Sequence, residues 1–165
     1  MHTTYISAGS NLGHRKANLE FSLSSLAKEG SITRISSYFE TEPVGYLNQP
    51  WFLNIAIELQ TSLTPAALLH LCNGIEESCG RIRAFPNGPR TLDLDILLFD
   101  DFVMNEKALV IPHPRLPERR FVLAPLAQIA PDLIHPLLKK SIRLLLDECT
   151  DPSRVFEKTS LDSGS

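Results

Sequence analysis

Asp93 and Asp95 stand two residues apart in Thr91-Leu92-Asp93-Leu94-Asp95-Ile96-Leu97, a run otherwise rich in Leu and Ile. Such a run reads as a buried strand. Strand side chains alternate in direction, so both carboxylates face the same way, with Cα atoms about 6.6 Å apart. That separation lets two carboxylates share a pair of divalent ions about 3.5–4 Å apart. Oxygen-only ligands favour a hard cation, Mg²⁺ first among them. The bland alternative is two Asp on a solvated strand face, or paired with nearby Arg. The Gly88-Pro89 turn and Arg90 stand just before the strand. Metal, cation and loop together point to chemistry on a polyphosphate.

Six of the ten arginines fall between residues 81 and 120: Arg81, Arg83, Arg90, Arg115, Arg119 and Arg120. Arg81, Arg83 and Arg90 bracket the loop Ala84-Phe85-Pro86-Asn87-Gly88-Pro89. Guanidinium groups clamp phosphate bidentately and stay charged, which suits negative charge developing in transfer. A merely solvated basic loop would look the same in isolation; the acidic strand beside it favours the functional reading. His113 sits between two prolines in Ile111-Pro112-His113-Pro114-Arg115, so its imidazole is presented from a rigid turn. It could donate to a phosphate oxygen or move a proton near neutral pH. Phe52 and Asn54 share one face of a second strand, an aromatic beside an amide, as suits a flat hydrogen-bonding heterocycle. Ordinary sheet packing is the plainer account of that pair. Gly9-Ser10-Asn11-Leu12-Gly13 contains no Gly-Lys-Ser/Thr, so any nucleotide is handled without a P-loop. No GxSxG or HExxH occurs.

These residues need elements to hold them. Thr4 to Ala8 reads as a strand entering the turn-rich loop from Gly9. A helix carrying Leu19, Leu23 and Leu26 follows, stopped by Gly30. Ile32 to Phe39 reads as a strand, and 42–50 as a Pro/Gly/Asn loop. Phe52 to Thr61 is the clearest strand: Leu53, Ile55, Ile57 and Leu59 on one face, Phe52, Asn54, Ala56 and Glu58 on the other. Thr64-Pro65 opens a helix with Thr as N-cap and Pro at N1. Its stripe is Leu68, Leu71, Cys72, Ile75 and Cys79, and Gly80 ends it. Leu92 to Asp100 is the acidic strand, and Leu109 to Pro112 a short extra one. Helices are expected over Arg119 to Ile129, despite Pro125, and over Leu137 to Leu146. Residues 1–150 then form one domain, and 151–165, rich in Ser, Asp and Thr, a flexible tail. The order β-α-β-β-α-β with appended helices fits an α+β, ferredoxin-like antiparallel sheet. Helices are expected on one face, and the site on the opposite, polar face.

Composition narrows the setting. With 165 residues, 43% hydrophobic and a net charge of −3, the chain has material for a single core and no bulk positive charge for nucleic acid. The first residues lack a signal-peptide pattern, and no apolar run approaches the ~20 residues that span a bilayer. Three Cys give no disulfide framework and no CxxC; Cys72 and Cys79 read as core filler. A cytoplasmic monomer that contacts neither membrane nor nucleic acid is expected.

The chain resembles the 6-hydroxymethyl-7,8-dihydropterin pyrophosphokinases of folate biosynthesis from about Tyr5 to Pro131. The resemblance is carried by Gly9-Ser10-Asn11-Leu12; Ser37-Tyr38-Phe39-Glu40-Thr41-Glu42-Pro43; Gln49-Pro50-Trp51-Phe52-Leu53-Asn54; and Glu76 with Gly80-Arg81. It continues in Gly88-Pro89-Arg90 through Asp93-Leu94-Asp95-Ile96, Ile111-Pro112-His113-Pro114-Arg115, and Glu118-Arg119-Arg120-Phe121. Each is weak alone; their joint order is specific. The resemblance implies pyrophosphoryl transfer from ATP to the pterin's hydroxymethyl oxygen, releasing AMP. It implies Asp93 and Asp95 as holders of two Mg²⁺ ions, acting with Arg81 and Arg90 in catalysis. Glu76, Arg81, Arg83, Arg90, Ile96, His113 and Arg119 would bind ATP. Thr41, Val44, Phe52, Asn54, Asp93 and Phe121 would bind the pterin, with Phe52 and Phe121 flanking the ring. Loops around 42–50 and 83–89 would close over both substrates and exclude water. One departure stands out. The family commonly has a basic residue and a Trp just before Gly-Pro-Arg; here Pro86 and Asn87 stand there, in a loop one residue shorter. Phe85 is the candidate replacement for the aromatic cover.

Two rivals remain at the level of sequence. Another metal-dependent DxD nucleotidyl- or glycosyltransferase would leave Phe52, Asn54 and Phe121 coincidental. A non-enzymatic ferredoxin-like binding module would have no use for two carboxylates on one strand face, and RNA-stacking aromatic signatures are absent.

Overall fold

A computed structural model describes residues 1–80 and 87–158. Its elements run β1 (His2–Ser10), α1 (Arg15–Leu26), β2 (Ser31–Ile35), β3 (Phe39–Thr41), β4 (Phe52–Thr61), α2 (Pro65–Ser78) and β5 (Asp93–Phe99). Then come β6 (Met104–Asn105), β7 (Val110–Ile111), a 3₁₀ turn (Leu116–Glu118), α3 (Arg120–Ile129), α4 (Ile142–Glu148) and β8 (Val155–Glu157). The main sheet is antiparallel in the order β5-β1-β4-β3-β8, with β2 also paired to β4; β6 and β7 form a separate ribbon.

Local chemistry accounts for the boundaries. Thr64 Oγ1 accepts from the Ala67 N–H at 3.2 Å, Pro65 takes the first helical position, and Gly80 at φ +75° ends α2 in the left-handed region. Pro125 inside α3 forfeits one helical bond; burial of Val122, Leu123, Leu126 and Ile129 offsets it.

The sheet is covered on both faces. Leu53, Ile55, Ile57 and Leu59 of β4 pack with Ile6, Ala8, Leu94 and Ile96 against Leu19 and Leu26 of α1 and Leu68, Cys72 and Ile75 of α2. On the other face Tyr5, Ala56, Leu97 and Leu98 meet Val122, Leu123 and Leu126 of α3 and Ile142 and Leu145 of α4. This corrects the expectation of helices on one face alone. The strand pattern is the same under both arrangements, since α3 covers only the Tyr5–Ala56–Leu97 part of the second face. The part nearer Gly9, Asn54 and Asp93 is left to loops.

Other boundaries also differ from the sequence reading. β1 runs on through Gly9 to Ser10, because Gly9 pairs with strands on both sides and Ser10 with Leu53 of β4. The expected strand from Ile32 to Phe39 is two strands, both paired with β4. Ser36 supplies the break: its N–H donates to the Ala56 carbonyl and its hydroxyl accepts from the Ala56 N–H. The last helix begins at Ile142, capped by Ser141 Oγ, while 137–140 lies before it. Residues 151–158 are no frayed tail: β8 pairs with β3, which the polar residues on either side of it concealed. Cys72 is fully buried, its thiol pushed up to about 12 by burial and then by Glu76 and Asp95, as suits core filler.

Glu40 of β3 fastens α1 and the last strand to the sheet. Its carboxylate accepts from Arg15 at 2.8 and 2.6 Å, and Lys158 Nζ lies at 3.3 Å. Burial raises the Glu40 pKa, but the Arg15 and Lys158 bonds outweigh it and hold the carboxyl below its ordinary 4.5. A depressed folded-state pKa gives stability that is present above the unfolded value and is lost as pH falls through the folded one. Glu40→Gln is therefore expected to cost about 1–2 kcal/mol at pH 7. The gap to the parent should narrow on acidification below about pH 4.5. Thermal unfolding of both proteins across that range checks it; a gap independent of pH would refute the assignment.

Candidate active site

The uncovered part of the second face forms the floor of a cleft of about 420 Å³. Strand register places its residues. In β1, Gly9 stands opposite Asn54 of β4 on one side and Asp93 of β5 on the other; Ser7 stands opposite Ala56 and Asp95 in the next row. The two aspartates thus share a face, as the period of two requires, and the amide of Asn54 shares it with them. Phe52 and Thr41, directly paired across β4 and β3, extend the same floor.

Asn54 is buried and donates to Thr41 Oγ1 at 2.6 Å. Gly9 leaves it room: a Cβ there would collide with Asn54 Oδ1 and approach Phe52 Cδ1 to 3.7 Å. A glycine inside a strand is the signal of close approach that could have drawn attention to this position. The Asn54 amide oxygen therefore lies over a stretch of β1 backbone that has no side chain, with Phe52 beside it.

The opposite wall is cationic. Arg115 and Arg119 come from the turn before α3, Arg90 from the loop before β5, and His113 from the segment tied to β5 by its N–H to the Leu97 carbonyl at 2.9 Å. Burial and the Arg119 charge push His113 down to about 4, against the pull of Asp93. The ring is neutral at pH 7. Its Nδ1 accepts from the Arg115 N–H at 3.2 Å, which assigns the proton to Nε2, the nitrogen 3.9 Å from Asp95 Oδ1. Arg119 lies with its guanidinium carbon 5.5 Å from the Phe121 ring centre, and its buried Nε has no hydrogen-bond partner among the described residues. Buried donors are nearly always satisfied, so this one is a place for an acceptor from a ligand. Arg90 folds back on its own turn, donating to the carbonyls of Gly88 and Pro89.

Loops roof the cleft, and Asn11 joins them. Its Nδ2 donates to Gln49 Oε1 at 2.8 Å and to the Pro50 carbonyl at 2.9 Å, while its Oδ1 accepts from the Arg90 N–H at 2.8 Å. Gln49 Nε2 donates in turn to the Asn87 carbonyl at 2.7 Å. Gly45, at φ +88°, lies so close to Asn87 that a Cβ would meet its amide nitrogen at 2.9 Å. The missing side chain at Gly45 thus makes room for Asn87, one of the positions where the sequence departs from the pattern it resembles.

Among the expected site residues, Thr41, Val44, Phe52, Asn54, Arg90, Asp93, Asp95, His113, Arg119 and Phe121 line this one cleft. Glu76 and Ile96 do not. Both are buried on the α1/α2 side of β5, where Glu76 accepts from the Leu94 N–H at 2.7 Å. Arg81, Arg83 and Phe85 lie outside the described residues. Ser7, Gly9, Glu42, Gly45 and Asn87 line the cleft as well and were not singled out as site residues. Apart from the strand glycine, their types carry no chemical signal; only register and loop packing bring them here.

Two carboxylates, without a third acid, His or Cys in metal-binding reach among the described residues, match a cation held jointly with substrate phosphates better than an all-protein cage. The cationic wall that phosphates would need faces the pair. The donor set therefore fits Mg²⁺.

Comparison with known proteins agrees with this geometry. A family model, 7,8-dihydro-6-hydroxymethylpterin-pyrophosphokinase (HPPK), matches residues 5–131. The 2-amino-4-hydroxy-6-hydroxymethyldihydropteridine pyrophosphokinase of Bacillus subtilis is 49% identical over 127 residues, 76% of each chain. The Aquifex aeolicus protein of the same name is 38% identical over 150 residues, 91% of this chain and 94% of its own. The folic acid synthesis protein fol1 of Schizosaccharomyces pombe is 42% identical over 146 residues; the match covers 87% of this chain but only 20% of that longer protein. A crystal structure of Plasmodium falciparum HPPK-DHPS shares the fold, with TM-score 0.69 at 19% identity, over 89% of this chain and 43% of that one. With most of its length matched, and the matched span carrying the floor and the cationic wall of the cleft, this chain belongs to the HPPK family.

Proposed function

We propose that this protein transfers the pyrophosphoryl group of ATP to the hydroxymethyl oxygen of 6-hydroxymethyl-7,8-dihydropterin, giving the pterin diphosphate and AMP, as a step of folate biosynthesis. The observation that carries the reading is the sharing of one cleft floor by Asn54 and the Asp93/Asp95 pair, one strand apart on either side of Gly9. The antiparallel order β5-β1-β4-β3 supports a ferredoxin-like core beneath it. No helix among the described residues is long and apolar enough to cross a membrane.

The residues divide the work. Asn54, held by Thr41, reads the donor/acceptor edge of the pterin, and Phe52 and Phe121 supply aromatic walls for a flat bicycle. Arg90, Arg115 and Arg119 bind the phosphates; the unpartnered Arg119 Nε and the His113 Nε2–H are donors aimed at anionic oxygens. A neutral His113 donates without changing charge through the neutral pH range. Asp93 and Asp95 would hold Mg²⁺, which supplies charge neutralisation on the phosphates and acidifies the acceptor hydroxyl. The hydroxymethyl oxygen attacks the β-phosphorus, the bond from that phosphorus to the α–β bridging oxygen breaks, and AMP departs as the hydroxyl proton is lost. The loops joined through Asn11 keep bulk water from competing for the same phosphorus.

With protein, Mg²⁺, ATP and hydroxymethyl-dihydropterin together, AMP is expected, and only when the pterin is present. Release of ADP or phosphate, or AMP without pterin, would point instead to another DxD transferase or a hydrolase. Asp95→Ala is expected to lower turnover by roughly 10²–10³-fold, the range for losing one preorganised electrostatic contact. Its melting temperature should stay near the parent's, because the Asp95 side chain is about a third exposed (32%). Full retained activity with Mg²⁺ would mean that the site lies elsewhere.

Gly9→Ala tests the pterin half separately. The added methyl must turn the Asn54 amide away, leaving hydrogen bonds worth about 1–3 kcal/mol unmade, or roughly five- to a hundredfold in pterin Kd. ATP affinity should be unaffected. Titration of pterin fluorescence reads the difference, and unchanged pterin affinity would remove Asn54 from the assignment.

A further inference from the structure

We propose that β8 is part of the substrate site at one remove, with Arg154 as a positioning residue for the pterin half of the cleft. This rests on the pterin reading above. β8 lies beyond the span matched by the family model, and Arg154 does not line the cleft. Yet the segment 151–158 grips both walls.

On the floor side, β8 pairs with β3 so that Val155 stands opposite Thr41, the residue that accepts the Asn54 amide. One residue on, the chain enters the cleft at Glu42, and Arg154 closes on it from three directions. The Glu42 N–H donates to the Arg154 carbonyl at 2.9 Å, the Arg154 N–H donates to Glu42 Oε1 at 3.0 Å, and the guanidinium donates to Oε2 at 3.3 Å. These bonds, the backbone one first, hold the Glu42 carboxyl below its ordinary range. The same guanidinium lies 5.0 Å from the ring centre of Trp51, the neighbour of Phe52, and Phe156 stacks on Trp51 at 6.1 Å and 7°. On the facing wall, Asp151 Oδ2 accepts from the Arg120 N–H at 3.0 Å, and the Arg120 side chain donates to the carbonyls of Asp151 and Cys149. Arg120 sits between Arg119 and Phe121. Eight residues thus fix Thr41–Glu42 and Trp51–Phe52 relative to Arg119–Phe121.

A strand that only staples the sheet edge would affect stability alone. Losing Arg154 would affect pterin binding selectively, since the ties of Arg154 itself run to Glu42 and to Trp51 beside Phe52, whereas the wall that carries Arg119 is held by the separate Asp151–Arg120 bonds. AMP formation by the parent protein tests the functional reading, while the pterin Kd of the parent and its variants, read without turnover, tests Arg154 separately. Arg154→Ala is then expected to raise the pterin KM and Kd about two- to fivefold, the scale of an exposed ion pair, with the ATP KM unchanged. Arg154→Lys, which keeps the charge, should recover part of the loss. Arg154→Ala combined with Glu42→Gln should be no worse than the stronger single change, because the two act through one contact. Emission from Trp51, the only Trp in the chain, reports pterin binding without turnover. Equal shifts in both substrates, additive losses in the double variant, or a lowered melting temperature with both KM values intact would overturn the proposal. If Arg154→Ala does not fold, the Lys variant carries the same comparison.

Discussion

Between β4 and β5, strand β1 has neighbours on both sides, and its register with each is set residue by residue. The dry face fixes that register: Ile6 and Ala8 must point toward α1 and α2 with Leu53, Ile55, Leu94 and Ile96. A slip of one residue would turn every one of them outward. Once the apolar face is satisfied, the other face has no freedom left. Gly9 must lie between Asn54 and Asp93, and Ser7 between Ala56 and Asp95. With strands about 4.8 Å apart, the backbone positions of Asn54 and Asp93 stand about 10 Å from each other across β1. The spacing between the heterocycle reader and the acid pair is thus a by-product of hydrophobic burial on the far side of the sheet.

The electrostatics of the cleft follow from where the cations can be anchored. α3 covers the second face only as far as Tyr5 and Leu97, and its first residues therefore project over the acids. Arg119, half-buried beside Phe121, and the paired carboxylates of β5 confront each other across the same space. Burial and Arg119 keep the intervening imidazole uncharged, so the wall is positive through its guanidinium groups alone. Fixed charges of both signs in a partly dry cleft cost little to reorganise when a highly charged substrate arrives.

Much of this was legible in the sequence. Alternation in Phe52–Thr61, the Thr64-Pro65 cap and the Asp-Leu-Asp run each follow from local chemistry, and the structure keeps them. What was not legible depended on partners distant in the chain. Val155–Glu157 is three residues long amid polar neighbours, and only the unpaired edge of β3 makes it a strand. Ser36 divides one apparent strand into two because the Ala56 backbone opposite needs both a donor and an acceptor. Glu76 follows its motif, yet in the fold its carboxylate accepts from the Leu94 N–H beside the strand that carries the acids, a placement that no spacing in the sequence indicates. Gly9 read as the start of a turn because glycine does not distinguish a bend from a place where another side chain lies down.

Asn11 has a consequence for how the two halves of the cleft communicate. A single amide holds Gln49 and Pro50 on one wall and the Arg90 backbone on the other. Whatever draws one wall inward alters the strain on the bonds that locate its counterpart. Coupling of that kind is reciprocal by thermodynamic necessity: the free energy that one occupant lends the second is returned in equal measure. The two walls of the cleft thus share a hinge pin, although each keeps its own ligand contacts.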